Sequence, residues 1–285
     1  MSRRVYILLP VHNRREITQR FVDCLKIQTY QNFHLVLLDD GSADGTEAMT
    51  RALLDPGKLT VIRGEGNWWW AGSLQQGINW LRRLRPDPSD IILMINDDVV
   101  FQEDFLERAL AEVQQRRKTL LLARALDEST GIISETGVHA DFRYMSFTAA
   151  DSPENINCLS TRGLFLRWDS LEDIGGFYPR LLPHYGSDYE FTMRALRKGY
   201  HLLTDPDVYL IPNPVTTGVR NIAEDTDVQG VLKTLFAKKS VMNPIYLTAF
   251  VFLAFPVRWI PLNLFKIWAR AGRNIFKSIK GQTRK

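Results

Sequence analysis

Five short runs, residues 5–9, 35–38, 59–62, 91–95 and 120–123, are built mainly of Val, Ile and Leu and are apolar almost throughout. A strand with one wet face alternates apolar and polar residues; these runs do not, as expected of strands covered on both faces. Between them, residues 16–27, 45–54, 73–84 and 103–116 carry apolar positions at helical spacing. Strands and helices in strict alternation predict an α/β fold: a mostly parallel central sheet of the nucleotide-binding kind, flanked by helices. A chain of 285 residues has room for one large domain or two small ones.

In open sheets of this type, ligands bind beyond the carboxyl ends of the strands. The first run leads into Pro10-Val11-His12-Asn13-Arg14, the second into Asp39-Asp40-Gly41-Ser42-Ala43-Asp44-Gly45-Thr46, and the fourth into Asn96-Asp97-Asp98. Taken alone, the second segment reads equally well as a loop with a helix cap, since Ser, Asp and Gly favour both roles. Two acidic strand ends on one sheet are a different matter. Hard divalent cations prefer carboxylate oxygens and commonly bridge them to a substrate's phosphates.

The stretch LLPVHNRREITQRFVDCLKIQTYQNFHLVLLDDGSADGT resembles the N-terminal signature of the family 2 inverting glycosyltransferases, which have the A-type fold. INDD resembles the Asp-x-Asp region of that family, and LPHYGSDYEFTMRALRKGY resembles its acceptor-side segment. The match spans roughly residues 3–215 with the three motifs in order, and GNWWWAGSLQQGINW looks most like the rhamnosyltransferase-like branch of surface polysaccharide synthesis. The resemblance implies that Asp39, Pro10, Val11, Asn13 and Asp97 line a nucleotide-sugar pocket. It implies that Asp98 binds Mg2+ or Mn2+, that Asp188 is the general base, and that Glu190 is a second acid on the acceptor side. Asn96 stands where the family often has Asp, and Gln75 where it often has Asn. No His follows His201 to serve as a late metal ligand; Asn213 lies where one would be sought.

Inverting transfer needs a base on the acceptor hydroxyl and stabilisation of the departing diphosphate. On local pattern alone, Asp188 and Glu190 read as acids of a helix's first turn, complementing its dipole; the ordered upstream motifs favour the base. Trp68, Trp69 and Trp70 cannot all point one way, so one is expected to face the donor, and Trp70 and Gly72 are placed there. His184 and Tyr185, beside Asp188, are acceptor-side candidates. So is Arg162, which reads equally as a surface ion pair.

Charge divides the chain. From residue 228 onward there are 11 Lys and Arg and no Asp or Glu, whereas residues 1–227 carry a net charge of −7. The expected organisation is therefore a catalytic domain over 1–227, with a nucleotide-sugar half near 1–125 and an acceptor half near 126–227, and a basic helical tail over 228–285. In the tail, Trp259, Leu262, Phe265, Trp268, Ile275, Phe276 and Ile279 interleave with Arg and Lys. That pattern fits an interfacial amphipathic helix on an anionic membrane. A helix packed on the body or joining two copies in a homodimer is the alternative, and nucleic acid fits poorly. The two cysteines, Cys24 and Cys158, form no metal or disulfide framework, and the apolar stretch after Arg4 is too short for a signal-peptide core. The resulting expectation is a glycosyltransferase of hexosyl type on the cytoplasmic face of the cell membrane, using a nucleotide-diphosphate sugar and a glycan or lipid-linked acceptor. A sugar nucleotidyltransferase and a non-catalytic membrane partner are the rival readings; the first lacks its Gly-rich basic loop after strand one, and the second has no use for Asp39, Asp98 and Asp188 together.

Overall fold

The computed structural model describes residues 3–114, 116–127, 130–133, 136–213 and 228–282. The alternation holds: β1 (Val5–Val11), α1 (Arg15–Lys26), β2 (Phe33–Asp39), α2 (Thr46–Leu53), β3 (Leu59–Arg63), α3 (Trp69–Leu84), β4 (Ile91–Met94), β5 (Val99–Val100), α4 (Phe105–Gln114) and β6 (Thr119–Ala125). The second half adds β7 (Val138–Asp141), β8 (Ser146–Ala149), β9 (Leu164–Arg167), α5 (Trp168–Ile174), α6 (Ser187–Arg197) and β10 (His201–Pro212). Three helices follow: α7 (Val228–Leu235), α8 (Pro244–Ala254) and α9 (Ile260–Gln282). Helix α3 starts at Trp69 rather than Ser73, so two of the three tryptophans belong to its first turn.

The sheet runs β3-β2-β1-β4-β9-β6-β10-β5. β1 is parallel to β2 and β4, β2 to β3, and β6 to β10, while β9 inserts antiparallel between β4 and β6. The apolar runs are explained by packing on both faces. Along β1, Val5, Ile7, Leu9 and Val11 join a core with Phe21, Val22 and Leu25 of α1 and Leu106, Leu110 and Val113 of α4. Tyr6 and Leu8 point the other way, to Leu74, Ile78 and Leu81 of α3 and Phe191 of α6. Gly77 lets α3 approach closely, since a Cβ there would lie 2.9 Å from Leu8 and 3.2 Å from Leu38.

A third core includes Ala140 of β7, Cys158, Leu182, Met193 of α6, and Phe250, Val251, Ala254, Phe255 and Ile267. The basic tail therefore shares a core with the acceptor half. Arg197 of α6 closes the joint by donating to the carbonyls of Ala254 and Leu253, both at 2.8 Å, which satisfies the open end of α8.

Candidate active site

The carboxyl ends of β1, β2 and β4 lie side by side: Val11 is in register with Asp39, and Ile95 donates to the Leu8 carbonyl. Val11 buries its side chain in the first core and offers the edge its carbonyl, which accepts from the Asp40 amide at 3.0 Å. Pro10 is half-buried in the register with Leu38. Asn13 adopts φ 51°, a left-handed conformation that Asn tolerates better than most residues. There its side-chain oxygen accepts from the Ala43 amide at 2.8 Å, and its own amide donates to Ser42 Oγ at 2.9 Å. Asn13 thus staples the loop after β1 to the loop after β2.

Asp39 is buried and its Oδ1 accepts from the Ser42 amide at 2.8 Å. Its neighbour Asp40 has a larger structural task that sequence reasoning missed. Asp40 Oδ1 accepts from the amides of Gly66 (2.8 Å) and Asn67 (3.1 Å), and Oδ2 from those of Trp68 (2.8 Å) and Trp69 (3.3 Å). Four backbone donors on one carboxylate fold the loop between β3 and α3 around it. The signal in the sequence is the glycine pair flanking Glu65. A Cβ on Gly64 would lie 2.5 Å from Asp40 Oδ1 and 2.8 Å from the Trp68 ring, so only glycine fits there.

This loop sends the tryptophans in different directions. Trp70, half-buried, packs against the second core and donates its indole N–H to Thr161 Oγ at 2.9 Å, in the turn that meets the end of β4. Gly72 is likewise a packing position: a Cβ there would meet Trp68 at 3.1 Å. Trp69, half-buried like its two neighbours, takes a third direction. At φ 58° it turns edge-on toward the His184 ring, 5.9 Å between centroids, and the Ala71 amide donates to the Pro183 carbonyl. Asp40, Trp69 and His184 form a continuous path from the nucleotide-side loops to the acceptor segment.

After β4, Asp97 and Asp98 are both buried and both face Arg14, the residue preceding α1. Arg14 Nε lies 3.3 Å from Asp97 Oδ1 and Nη2 lies 3.2 Å from Asp98 Oδ2. Thr18 Oγ donates to Asp97 Oδ2 at 2.8 Å. Burial still dominates, and with the adjacent Asp98 charge it pushes the Asp97 carboxyl up to about 6 against the pull of Arg14 and Thr18. Asp98 Oδ1 is buried with no hydrogen-bond partner. An orphaned carboxylate oxygen is costly unless something positive meets it, and its chemistry fits a hard divalent cation. The described residues assemble no group of three or more His, Cys, Asp or Glu. Among the described residues, Asp98 is the one whose free oxygen would hold such a cation. Asn213 is brought to this point, its amide donating to the Asp98 carbonyl at 2.8 Å. Arg162 is half-buried in the turn before β9, next to Gly163, whose amide donates to the Met94 carbonyl at the end of β4.

On the acceptor side, His184 is half-buried, its Nδ1 has no partner, and Tyr185 packs edge-on against it at 4.5 Å. Burial, with help from the Lys239 charge, lowers the His184 pKa to about 4, so the ring is neutral at physiological pH. Gly186, at φ 78°, leads into α6, and Asp188 occupies its first turn with Oδ1 accepting from the Tyr189 amide at 2.9 Å. Asp188 stands close enough to Cys158 for its charge to add to burial in pushing that thiol up. Glu190 does not belong to the acceptor surface. It is buried, and both oxygens are taken by Arg194 at 2.9 Å; Arg194 also donates to the carbonyls of Ile174 (2.6 Å) and Gly176 (2.8 Å). Asp188 and Glu190, two positions apart on α6, point to different sides of the helix, and Glu190 takes the buried one.

A parallel sheet presenting two acid pairs at its carboxyl edge, with a further carboxylate on a facing helix, defines a nucleotide-handling transferase fold. The pattern of Glycosyl transferase family 2 matches residues 6–173, more than half of the chain, and the protein belongs to that family. It is 28% identical over 214 residues to glycosyltransferase AglE of Haloferax volcanii, covering 72% of this chain and 65% of that protein. It is 24% identical over 112 residues to the amylovoran biosynthesis glycosyltransferase AmsB of Erwinia amylovora, covering 38% of this chain and 35% of that one. The chain thus spans less than two thirds of the length of either relative. Among solved structures it resembles mannosyltransferase PcManGT from Pyrobaculum calidifontis, in complex with GDP-Man and Mn2+, with TM-score 0.54 and 16% identity over 100% of this chain and 88% of that one. That likeness is one of fold, and the mostly parallel sheet flanked by helices agrees with it.

Proposed function

We propose that the protein is an inverting glycosyltransferase that moves a sugar from a nucleotide-diphosphate sugar to a hydroxyl of a glycan or lipid-linked acceptor in cell-surface polysaccharide assembly. The observation that carries this is the continuous path from Asp40 through Trp69 to His184 and the first turn of α6, which joins a nucleotide-side acid edge to a separate carboxylate, Asp188. AglE and AmsB, both named as glycosyltransferases and one of them in polysaccharide biosynthesis, support the reading.

Each residue then has a task. Asp39 and the Asn13-stapled loops hold the nucleoside, and Asp97 lies beside them. Asp98, with its unpartnered oxygen, would hold Mg2+ or Mn2+, which would supply Lewis-acid stabilisation of the diphosphate leaving group. Asp188 accepts the proton of the acceptor hydroxyl as the C–O bond forms at the anomeric carbon, opposite the departing diphosphate. Trp69, His184 and Tyr185 wall the acceptor side with apolar surface, and a neutral His184 adds no charge that would compete for the proton. The decisive experiment measures equilibrium binding of a panel of nucleotide-sugars with and without Mg2+ or Mn2+, then transfer and product anomeric configuration. Asp188→Asn is expected to abolish transfer and keep donor binding. Absence of metal-dependent binding of every nucleoside diphosphate, or retention of anomeric configuration, would overturn the reading.

A further inference from the structure

We propose that α8, the turn after it and α9 form a docking surface for an anionic lipid bilayer. Helix α9 divides lengthwise into three sectors. Asn263, Ile267, Ala271 and Ser278 are buried against the body, and Asn263 donates to the Phe142 carbonyl at 2.7 Å. Phe265, Trp268, Phe276 and Ile279 form an outward stripe, with Phe265 72% exposed. Phe265 and Phe276, like Trp268 and Ile279, are separated by about three helical turns, which keeps all four on one side. Arg270, Arg273 and Lys277 follow their own helical spacing along the margin of that stripe, while Lys266 turns to the body and donates to the Arg143 carbonyl at 2.7 Å.

Helix α8 extends the stripe. Ile245 and Phe252 are exposed on one side of it, and Trp268 donates its indole N–H to Thr248 Oγ at 3.1 Å, one turn from each. Between the helices, Val257 is 82% exposed beside Arg258. An apolar surface of this extent, aromatic-rich and bordered by cations, marks an interaction site.

Its charge selects the occupant. No Asp or Glu occurs from residue 228 onward, so α8 and α9 supply no counter-charge to the cations at the margin. Two copies meeting face to face would set Arg258, Arg270, Arg273 and Lys277 against their counterparts. An anionic headgroup layer pairs with these cations while the acyl boundary takes the aromatic stripe. No described helix is long and apolar enough to cross a membrane, so the helices lie in the plane of the surface.

The test is co-sedimentation of the purified full chain with phosphatidylcholine vesicles, with and without phosphatidylglycerol. The wild type is expected to partition at least roughly tenfold more strongly onto the anionic vesicles, and less so as salt is raised. Phe265→Ser with Phe276→Ser, and separately Arg270→Glu with Arg273→Glu, should each lower that partition by roughly tenfold or more. Circular dichroism should be unchanged, because all four side chains are exposed. A wild type that stays in the supernatant, double variants that bind as the wild type does, or a Phe variant that only dissolves a dimer would each overturn the proposal. The readout is lipid binding, so it stands or falls independently of any result on nucleotide-sugars.

Discussion

Arg14 bridges Asp97 and Asp98 from the start of α1, within 3.3 Å of the first and 3.2 Å of the second, yet Asp98 Oδ1 is left without a partner. One guanidinium cannot satisfy two adjacent carboxylates in a buried setting. The edge is held together with positive charge still wanting.

Removing Arg14 therefore exposes the cost of the acid pair. Arg14→Ala is expected to destabilise the fold by about 2–3 kcal/mol, measured by urea unfolding, because it strands two buried carboxylates. Millimolar-range Mg2+ or Mn2+ should restore part of the loss. In Asp98→Asn that restoration should disappear, along with metal-dependent binding of a nucleoside diphosphate by calorimetry.

Asp40 invites a separation of scaffold from chemistry. Asp40→Ala leaves four amides without their acceptor and should cost about 3 kcal/mol or more, with donor affinity falling as the loop carrying Trp69 loosens. Asp40→Asn keeps one acceptor oxygen and should lie between that variant and the wild type. Thermal unfolding monitored alongside donor binding distinguishes the three.

His184 gives the protein a signature on the acid side. Its pKa is lowered from 6.5 to about 4 by burial and Lys239, so the unfolded chain binds more protons across that interval. The contribution of neutral His184 is fully present above pH 6.5 and is lost as pH falls toward 4, up to about 3 kcal/mol. His184→Asn should flatten this part of the stability profile, as followed by urea midpoints at stepped pH.

Glu190 and Arg194 test the correction made on α6. Glu190→Gln is expected to destabilise by about 2 kcal/mol, since Arg194 remains buried with a weaker partner. The apparent affinity for acceptor should stay within about twofold of wild type once the protein is folded, a small change on the scale of a lost direct contact. A large rise in acceptor KM with unchanged stability would instead place Glu190 at the acceptor.

Much of the fold was legible because both faces of the sheet are covered. Five near-continuous apolar runs correspond to β1, β2, β3, β4 and β6, and the acids at the ends of β2 and β4 do lie at one edge. What was not legible depended on backbone conformation and distant partners. Nothing local to the three tryptophans says that Asp40 gathers the amides of Gly66, Asn67, Trp68 and Trp69, turning Trp69 toward His184 and Trp70 toward Thr161. Glu190 resembles an acceptor-side acid in sequence because its partner is one turn further along α6, and the carbonyls that fix Arg194 come from α5 and its C-terminal loop. β9 was hidden for a different reason: it is only four residues long, runs against its neighbours and passes straight into α5, so no turn sets it apart.

Phe250 of α8 packs so close to Gly186 that a Cβ there would lie 3.3 Å from its ring. The helix that carries Asp188 in its first turn is therefore seated directly on one of the helices that present the outward apolar stripe. If that stripe docks on a bilayer as proposed, Asp188 would stand at a fixed height above the headgroups. The protein would then act as a ruler, serving hydroxyls carried at that elevation and passing over those on longer or shorter stems. Selection of the acceptor would become partly a matter of altitude, set by a phenyl ring beneath a glycine.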